Sequence, residues 1–201
     1  MADDAKLAEG AGQDAEDVRL MGLVGHGDTA AFEHLIERHQ TLVAGTVARM
    51  LGSNSDVEDI AQQVFIRVWK SASRYVPRAK FTTWLLKITR NLVFNELRRS
   101  KRHAHVPMQS DPQWEALPVK DEVTQAPDAS LLEAELQHKI EEAILSLPQS
   151  QRIALILRRY EELNYEQIAE VLNLSVPAVK SLLFRARTEL RERLKNYLKA
   201  E

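Results

Sequence analysis

Asn164-Tyr-Glu-Gln-Ile-Ala-Glu-Val-Leu-Asn-Leu-Ser-Val-Pro-Ala-Val-Lys-Ser-Leu-Leu-Phe-Arg-Ala-Arg-Thr-Glu-Leu-Arg-Glu-Arg-Leu194 spells two helices joined by a short turn. On the first, Ile168 and Leu172 stand one turn apart with small Ala169 beside them. On the second, Val179, Leu182 and Leu183 recur at helical spacing, and Leu174 is expected to tuck in from the turn. A small residue on the inner face lets two helices cross closely, which is the skeleton of a helix-turn-helix. Asn164 with Gln167 has the pattern of a capping box, and Ser175 is a natural N-cap for the second helix. Asn173 falls where the turn needs a left-handed residue, and Pro177 lies in the first helical turn, where its missing N–H does no harm.

The second helix is basic. From 176 to 199 there are seven Lys or Arg (180, 185, 187, 191, 193, 195, 199) against two Glu. Lys180, Ser181, Phe184 and Arg185 share the face near its start, the end that a recognition helix places in the major groove. Lys180 and Arg185 have the reach for phosphates or guanine edges, Ser181 donates or accepts, and Phe184 suits a thymine methyl or a sugar. A solvated amphipathic helix, its cations balanced by nearby Glu, is the bland alternative; the capped two-helix skeleton favours DNA.

The 201 residues carry a net charge of only −2, unevenly spread. Residues 1–20 hold six acids and two bases, whereas residues 85–102 hold six bases and one acid. The near-neutral total therefore hides two basic surfaces able to follow a phosphate backbone. There is no Cys, so disulfides, thiolate zinc sites and thiol catalysis are excluded. No apolar run approaches the ~20 residues of a membrane helix, and the acidic start lacks a signal-peptide core. A soluble, cytoplasmic protein without membrane insertion is expected.

Along the chain, residues 1–17 read as a disordered acidic tail. Beyond Asp28, a plausible N-cap, Phe32, Leu35, Ile36, His39, Val43, Val47 and Met50 follow a helical rhythm that breaks at Gly52-Ser53-Asn54. Ser55 with Glu58 suggests another capping box, opening a helix on Val57, Ile60, Val64, Phe65 and Val68. Pro77 marks a loop, and a further helix carries Phe81, Trp84, Leu85, Ile88 and Leu92 inward. Residues 103–128 hold four of the seven prolines and read as an interdomain linker. Helices follow over 131–145 and after Pro148. No strand alternation competes, so the expected fold is all-α: one helical domain over 18–102 and a second, with the helix-turn-helix, over 129–201.

Three segments together resemble a family. They are Asp56-Val-Glu-Asp-Ile-Ala-Gln-Gln-Val-Phe-Ile-Arg-Val-Trp-Lys70, the run Phe81-Thr-Thr-Trp-Leu-Leu-Lys-Ile-Thr-Arg-Asn-Leu-Val-Phe-Asn-Glu-Leu-Arg-Arg99, and Leu147-Pro through Arg187. In order and spacing they are similar to the extracytoplasmic-function (ECF) sigma factors of the sigma-70 superfamily. The resemblance implies a region 2 domain and a region 4 domain joined by a flexible linker. It implies that the first binds the β′ clamp helices of core RNA polymerase and opens the promoter −10 element. The second would read the −35 element and touch the β flap. Such a protein takes no cofactor or metal, is not itself an enzyme, and is often held by an anti-sigma factor.

Carried over residue by residue, Asp56, Glu58, Asp59, Gln62, Gln63, Ile66 and Trp69 match the polymerase-binding segment. Taken alone, Asp56 and Glu58 are more often plain capping groups at a helix start, and Trp69 fits contact or core equally. Arg74, Tyr75, Arg78 and Lys80 lie where the family captures a −10 base, and Arg90, Asn91, Asn95, Arg98 and Arg99 follow on the adjoining helix. Opening DNA requires a pocket for an unstacked base and a positive, aromatic-bearing surface for the displaced strand. Ser175, Lys180, Ser181, Phe184, Arg185 and Arg187 fall on the −35 side. Pro177 stands where many members have Gly, and Leu182 where many carry Arg.

Two other classes stay open. A helix-turn-helix regulator would bind operator DNA alone, its first domain sensing or dimerising. An enzyme would need residues that are missing: there is no Gly-rich phosphate loop, no His-Glu-x-x-His and no nucleophile motif. His103 and His105 form the one close His pair, at the edge of the linker.

Overall fold

The computed structural model describes residues 2–52, 56–103 and 127–198, and all regular structure among them is helical. The first group comprises α1 (Ala2–Gly25), α2 (Thr29–Leu51), α3 (Val57–Ser71), a 3-10 turn (Ala72–Arg74) and α4 (Phe81–His103). The second comprises α5 (Pro127–Leu145), α6 (Gln149–Arg159), α7 (Tyr165–Leu172) and α8 (Val176–Leu198). No helix of the described residues is long and apolar enough to cross a membrane.

Capping chemistry sets the boundaries. Asp28 accepts the Ala31 N–H at 3.0 Å and starts α2. Gly52 ends it in the left-handed region at φ 76°, its N–H bonded to Ala48. A Cβ at Gly52 would also displace the Leu145 side chain at the end of α5, and the left-handed backbone there favours glycine. Ser55, expected to cap with Glu58, lies outside the described residues; α3 begins behind Asp56.

In the helix-turn-helix the Asn164–Gln167 capping box closes in both directions, at 2.8 and 2.9 Å. Asn173 adopts φ 54°, and the N–H of Ala178 reaches Ser175 Oγ at 3.4 Å. Leu174 departs from expectation. Its N–H closes the turn on the Ala169 carbonyl at 2.9 Å, but its side chain is 43% exposed. Ile168, Leu172, Val179 and Leu183 already fill the crossing between the helices.

The disordered tail expected over residues 1–17 is also corrected, because α1 starts at Ala2. Alanines at 2, 5, 8, 11 and 15 supply helix propensity. Further along, Asp17 is 2% exposed and belongs to the first group's interior. At the other boundary α4 runs on to His103 and α5 opens at Pro127. The expected linker between them, with His105, otherwise lies outside the described residues.

The first group packs around Leu20, Met21, Leu35, Val43, Val47, Val64, Val68 and Leu85, the second around Ile153, Ile156, Leu157, Ile168, Val171, Val179 and Leu183. Ile144, Leu147, Leu155 and Ala186 form a smaller cluster linking α5 and α8. The two main cores are continuous, since α4 lies on α7 and α2 touches α6. Burying a Leu or Ile side chain contributes about 1.5–3 kcal/mol, so this shared apolar face is a large part of what holds the groups together.

Candidate functional site

On α8 the inward side chains are Val179, Leu183 and Ala186, and Leu182 is half-buried. Lys180, Ser181, Arg185 and Arg187 are exposed, as is Ser175 at the helix start. Phe184 is 72% exposed, the most solvent-facing large apolar side chain among the described residues. Lys180 Nζ sits 5.7 Å from the Tyr165 ring centroid, within cation–π range. Further along, Arg193 pairs with Glu189 at 2.8 Å and Lys195 with Glu192 at 4.0 Å. The internal balancing of charge thus belongs to the distal half of α8, beyond the face of Lys180, Phe184 and Arg185.

A second surface lies between α2 and α3, an open groove of about 680 Å³. Phe32, Ile36, Val57, Ala61, Phe65 and Ile66 give it an apolar floor, with Gln40, Glu58 and Gln62 at its edge. Glu58, Gln62, Ile66 and Trp69 recur at helical spacing on one face of α3. Ile66 is 50% exposed and Trp69 37%, the latter edge-on to Phe32 at 5.0 Å. Asp59 and Gln63 are exposed beside them, and Asp56 is half-buried at the helix start. Sequence reasoning missed this side of α2: Phe32 and Ile36 have the spacing of core residues but the packed structure leaves them half-buried, with exposed Gln40 beside them.

The third surface is the loop after the 3-10 turn, with α4. Arg74, Arg78 and Lys80 are exposed. Tyr75 is turned inward instead, 4.9 Å from the Trp84 ring and 6.2 Å from Phe81. Burial, then the charges of Asp14 and Asp17, push its hydroxyl up to about 12. Asn91, Asn95, Arg98 and Arg99 are exposed along α4, and Arg99 reaches Glu96 at 3.1 Å. Arg90 is drawn aside: Nη2 donates to the Leu172 carbonyl at 2.9 Å and Nη1 to Asn91 at 2.7 Å. Its guanidinium lies 4.7 Å from the Phe94 ring centroid. Burial, followed by the charge of Arg98, disfavours its protonated form.

Sequence reasoning also missed a polar contact between the two groups. Thr46 Oγ1 donates to Glu161 Oε1 at 2.7 Å, Arg49 approaches the same oxygen at 3.7 Å, and the Arg49 guanidinium covers Tyr160 at 4.5 Å. The Glu161 side chain is 6% exposed, and desolvation raises its pKa above the ordinary carboxylate value. No local pattern announces a pair 115 residues apart. Among the described residues no group of three or more His, Asp or Glu is placed to hold a metal ion.

Residues 35–103 match the Sigma-70 region 2 family, and residues 137–190 match Sigma-70, region 4. The chain is 30% identical over 173 residues to the ECF RNA polymerase sigma factor SigW of Bacillus subtilis (strain 168), spanning 85% of this chain and 92% of that one. With the ECF RNA polymerase sigma-E factor of Escherichia coli (strain K12) it shares 33% over 174 residues, 84% and 88% of the two chains. Among solved structures, CnrH in complex with the cytosolic domain of CnrY matches in fold with a TM-score of 0.64 at 24% identity, covering 90% of this chain and 98% of that one. Two matched regions in the same order, in a chain spanning nearly the whole of such relatives, make this protein a member of the ECF sigma factors of the sigma-70 family.

Proposed function

We propose that the chain docks on core RNA polymerase through the α2–α3 groove, opens the promoter −10 element with α4 and the loop before it, and reads the −35 duplex with α8. On this reading it confers promoter choice on the polymerase and performs no bond chemistry of its own. The observation that carries the DNA assignment is the start of α8. A phenylalanine 72% exposed between Ser181 and Arg185 packs little against the described residues, and it suits a thymine methyl or sugar. The groove supports the docking assignment, because a half-open apolar floor edged by amides and a carboxylate matches the build of a protein interface. An anti-sigma factor is the expected inhibitor, acting by covering these same faces.

In vitro transcription tests the reading. Adding the chain to sigma-free core enzyme on genomic fragments is expected to start RNA at defined sites. Band-shift with and without core enzyme separates it from the lone regulator. Tight operator binding by the free chain, unchanged when core enzyme is added, would favour the regulator.

A further inference from the structure

We propose that Asp14 and Asp17 of α1 are positioning residues for strand opening, holding the loop of residues 74–80 and the first turn of α4 in place from outside the loop. The inference rests on the reading of that loop as the −10 contact. The N-terminal N–H groups of a helix need acceptors, and the residues that lead into α4 offer no side-chain one: Ala79 and Lys80 precede Phe81, and neither side chain carries an oxygen. The acceptor comes from 67 residues away, where Asp14 Oδ1 takes the Phe81 N–H at 2.7 Å. A carboxylate there also complements the helix dipole.

Asp17 supports the same point from beneath. Its side chain, 3% exposed, accepts Arg38 Nε at 2.8 Å. His39 Nε2 lies 3.0 Å from the same oxygen, off the axis a hydrogen bond needs. The His39 ring packs 5.0 Å from Phe81, Phe81 is 1% exposed, and Tyr75 packs on Phe81 and Trp84. A continuous set of contacts therefore runs from the α1 acids through His39 and Phe81 to the loop's aromatic. A polar hollow of about 380 Å³ beside it is lined by both acids, Arg38, His39, Lys80 and Thr82, so the last loop cation borders the same frame. The loop's own sequence supplies the cations; α1 supplies the rigidity that presents them.

Full-length Asp14→Ala with core polymerase is the test, read by permanganate reactivity of unpaired thymines in the −10 region. Loss of an N-cap acceptor is expected to reduce opening about fivefold, while affinity for core enzyme stays at the wild-type level. Asp14→Asn keeps an acceptor and is expected to restore opening. A template with the −10 region already unpaired is expected to relieve the Asp14→Ala defect, which a general folding defect would not allow. Wild-type opening by Asp14→Ala, a parallel fall in core affinity, or no rescue by Asn or by the unpaired template would each overturn the inference. Arg78→Ala with Lys80→Ala separates the levels. If that pair opens DNA normally, the −10 reading of the loop fails and the inference with it. If the pair is impaired while Asp14→Ala is not, the inference alone fails.

Discussion

Arg90 of α4 donates to the carbonyl of Leu172, the last residue of α7, at 2.9 Å. A helix C-terminus offers orphan carbonyls and partial negative charge, so a guanidinium there satisfies both. The consequence is that a cation expected on the −10 strand is held by the helix-turn-helix of its own chain. Thr46 and Glu161 close the contact between the domains at another point, at 2.7 Å. For DNA to take Arg90, α7 must give it up.

Thr46→Val tests how much that contact holds. Valine keeps the volume of a fully buried threonine but removes the donor, leaving Glu161 with Arg49 at 3.7 Å. Stranding a buried acceptor costs about 1–3 kcal/mol. Urea denaturation is expected to show a loss of that order, and fluorescence transfer between labels on α2 and α6 should report a wider separation. Unchanged stability and spacing would remove this hydrogen bond from what holds the domains.

Glu161 gives the contact a pH dependence whose sign follows from its environment. Desolvation raises its folded pKa above the unfolded 4.5, outweighing the Thr46 hydrogen bond and the Arg49 charge. The folded form therefore binds protons more readily than the unfolded one. Its stabilising contribution is complete below 4.5 and is lost as pH rises through the raised folded value. Glu161→Gln retains an acceptor for Thr46 without the charge. It is expected to be more stable than the wild type at pH 7 and to lose that advantage near pH 4, by thermal denaturation across the range. An advantage that grew on acidification would contradict the assignment.

These relationships show where sequence was informative. The Asn164–Gln167 box, left-handed Asn173 and the end of α2 at Gly52 were legible because capping is chemistry between residues three or four apart. The exposed face of α8 was legible because a helix of known register assigns each residue a side. Leu174 was misread because apolar character does not say whether a crossing is already full. The tail over 1–17 was misread because its acids suggested solvation, whereas Asp14 and Asp17 find partners on α4 and α2. Arg90 and Tyr75 were read as DNA contacts from the family match and their chemistry; Arg90 finds its inward partner on sequence-distant α7, and Tyr75 packs on Phe81 and Trp84 of the next helix, contacts that leave no periodic trace.

Ile66 bears on the docking groove. It is half exposed on α3 and makes part of the groove floor, so its replacement does not open a cavity in a core. Ile66→Asp places a charge on an apolar contact surface and is expected to weaken core polymerase binding about tenfold or more, on the scale of an interface hot spot. Thermal stability should remain near wild type, and −35 duplex contact by the second domain should be spared. Asp59→Ala with Gln63→Ala, exposed on α3 outside the groove lining, should have a smaller effect on the same titration. Wild-type affinity in Ile66→Asp would move the docking surface elsewhere.

Arg185 distinguishes two ways in which α8 could read DNA. It is exposed near Lys180 and Phe184, one turn before Glu189, which pairs with Arg193, so Arg185→Ala should leave folding and core affinity intact. If the guanidinium meets a guanine edge, the loss is about 1–3 kcal/mol and confined to promoters with that base, with discrimination relaxed at one −35 position. If it meets a phosphate, affinity falls on all promoters and the slope of log K against log salt becomes shallower by about one. Titrating the holoenzyme against a panel of −35 substitutions at several salt concentrations separates the two. Arg185→Ala matching wild type in affinity, base preference and salt slope would take Arg185 out of the interface.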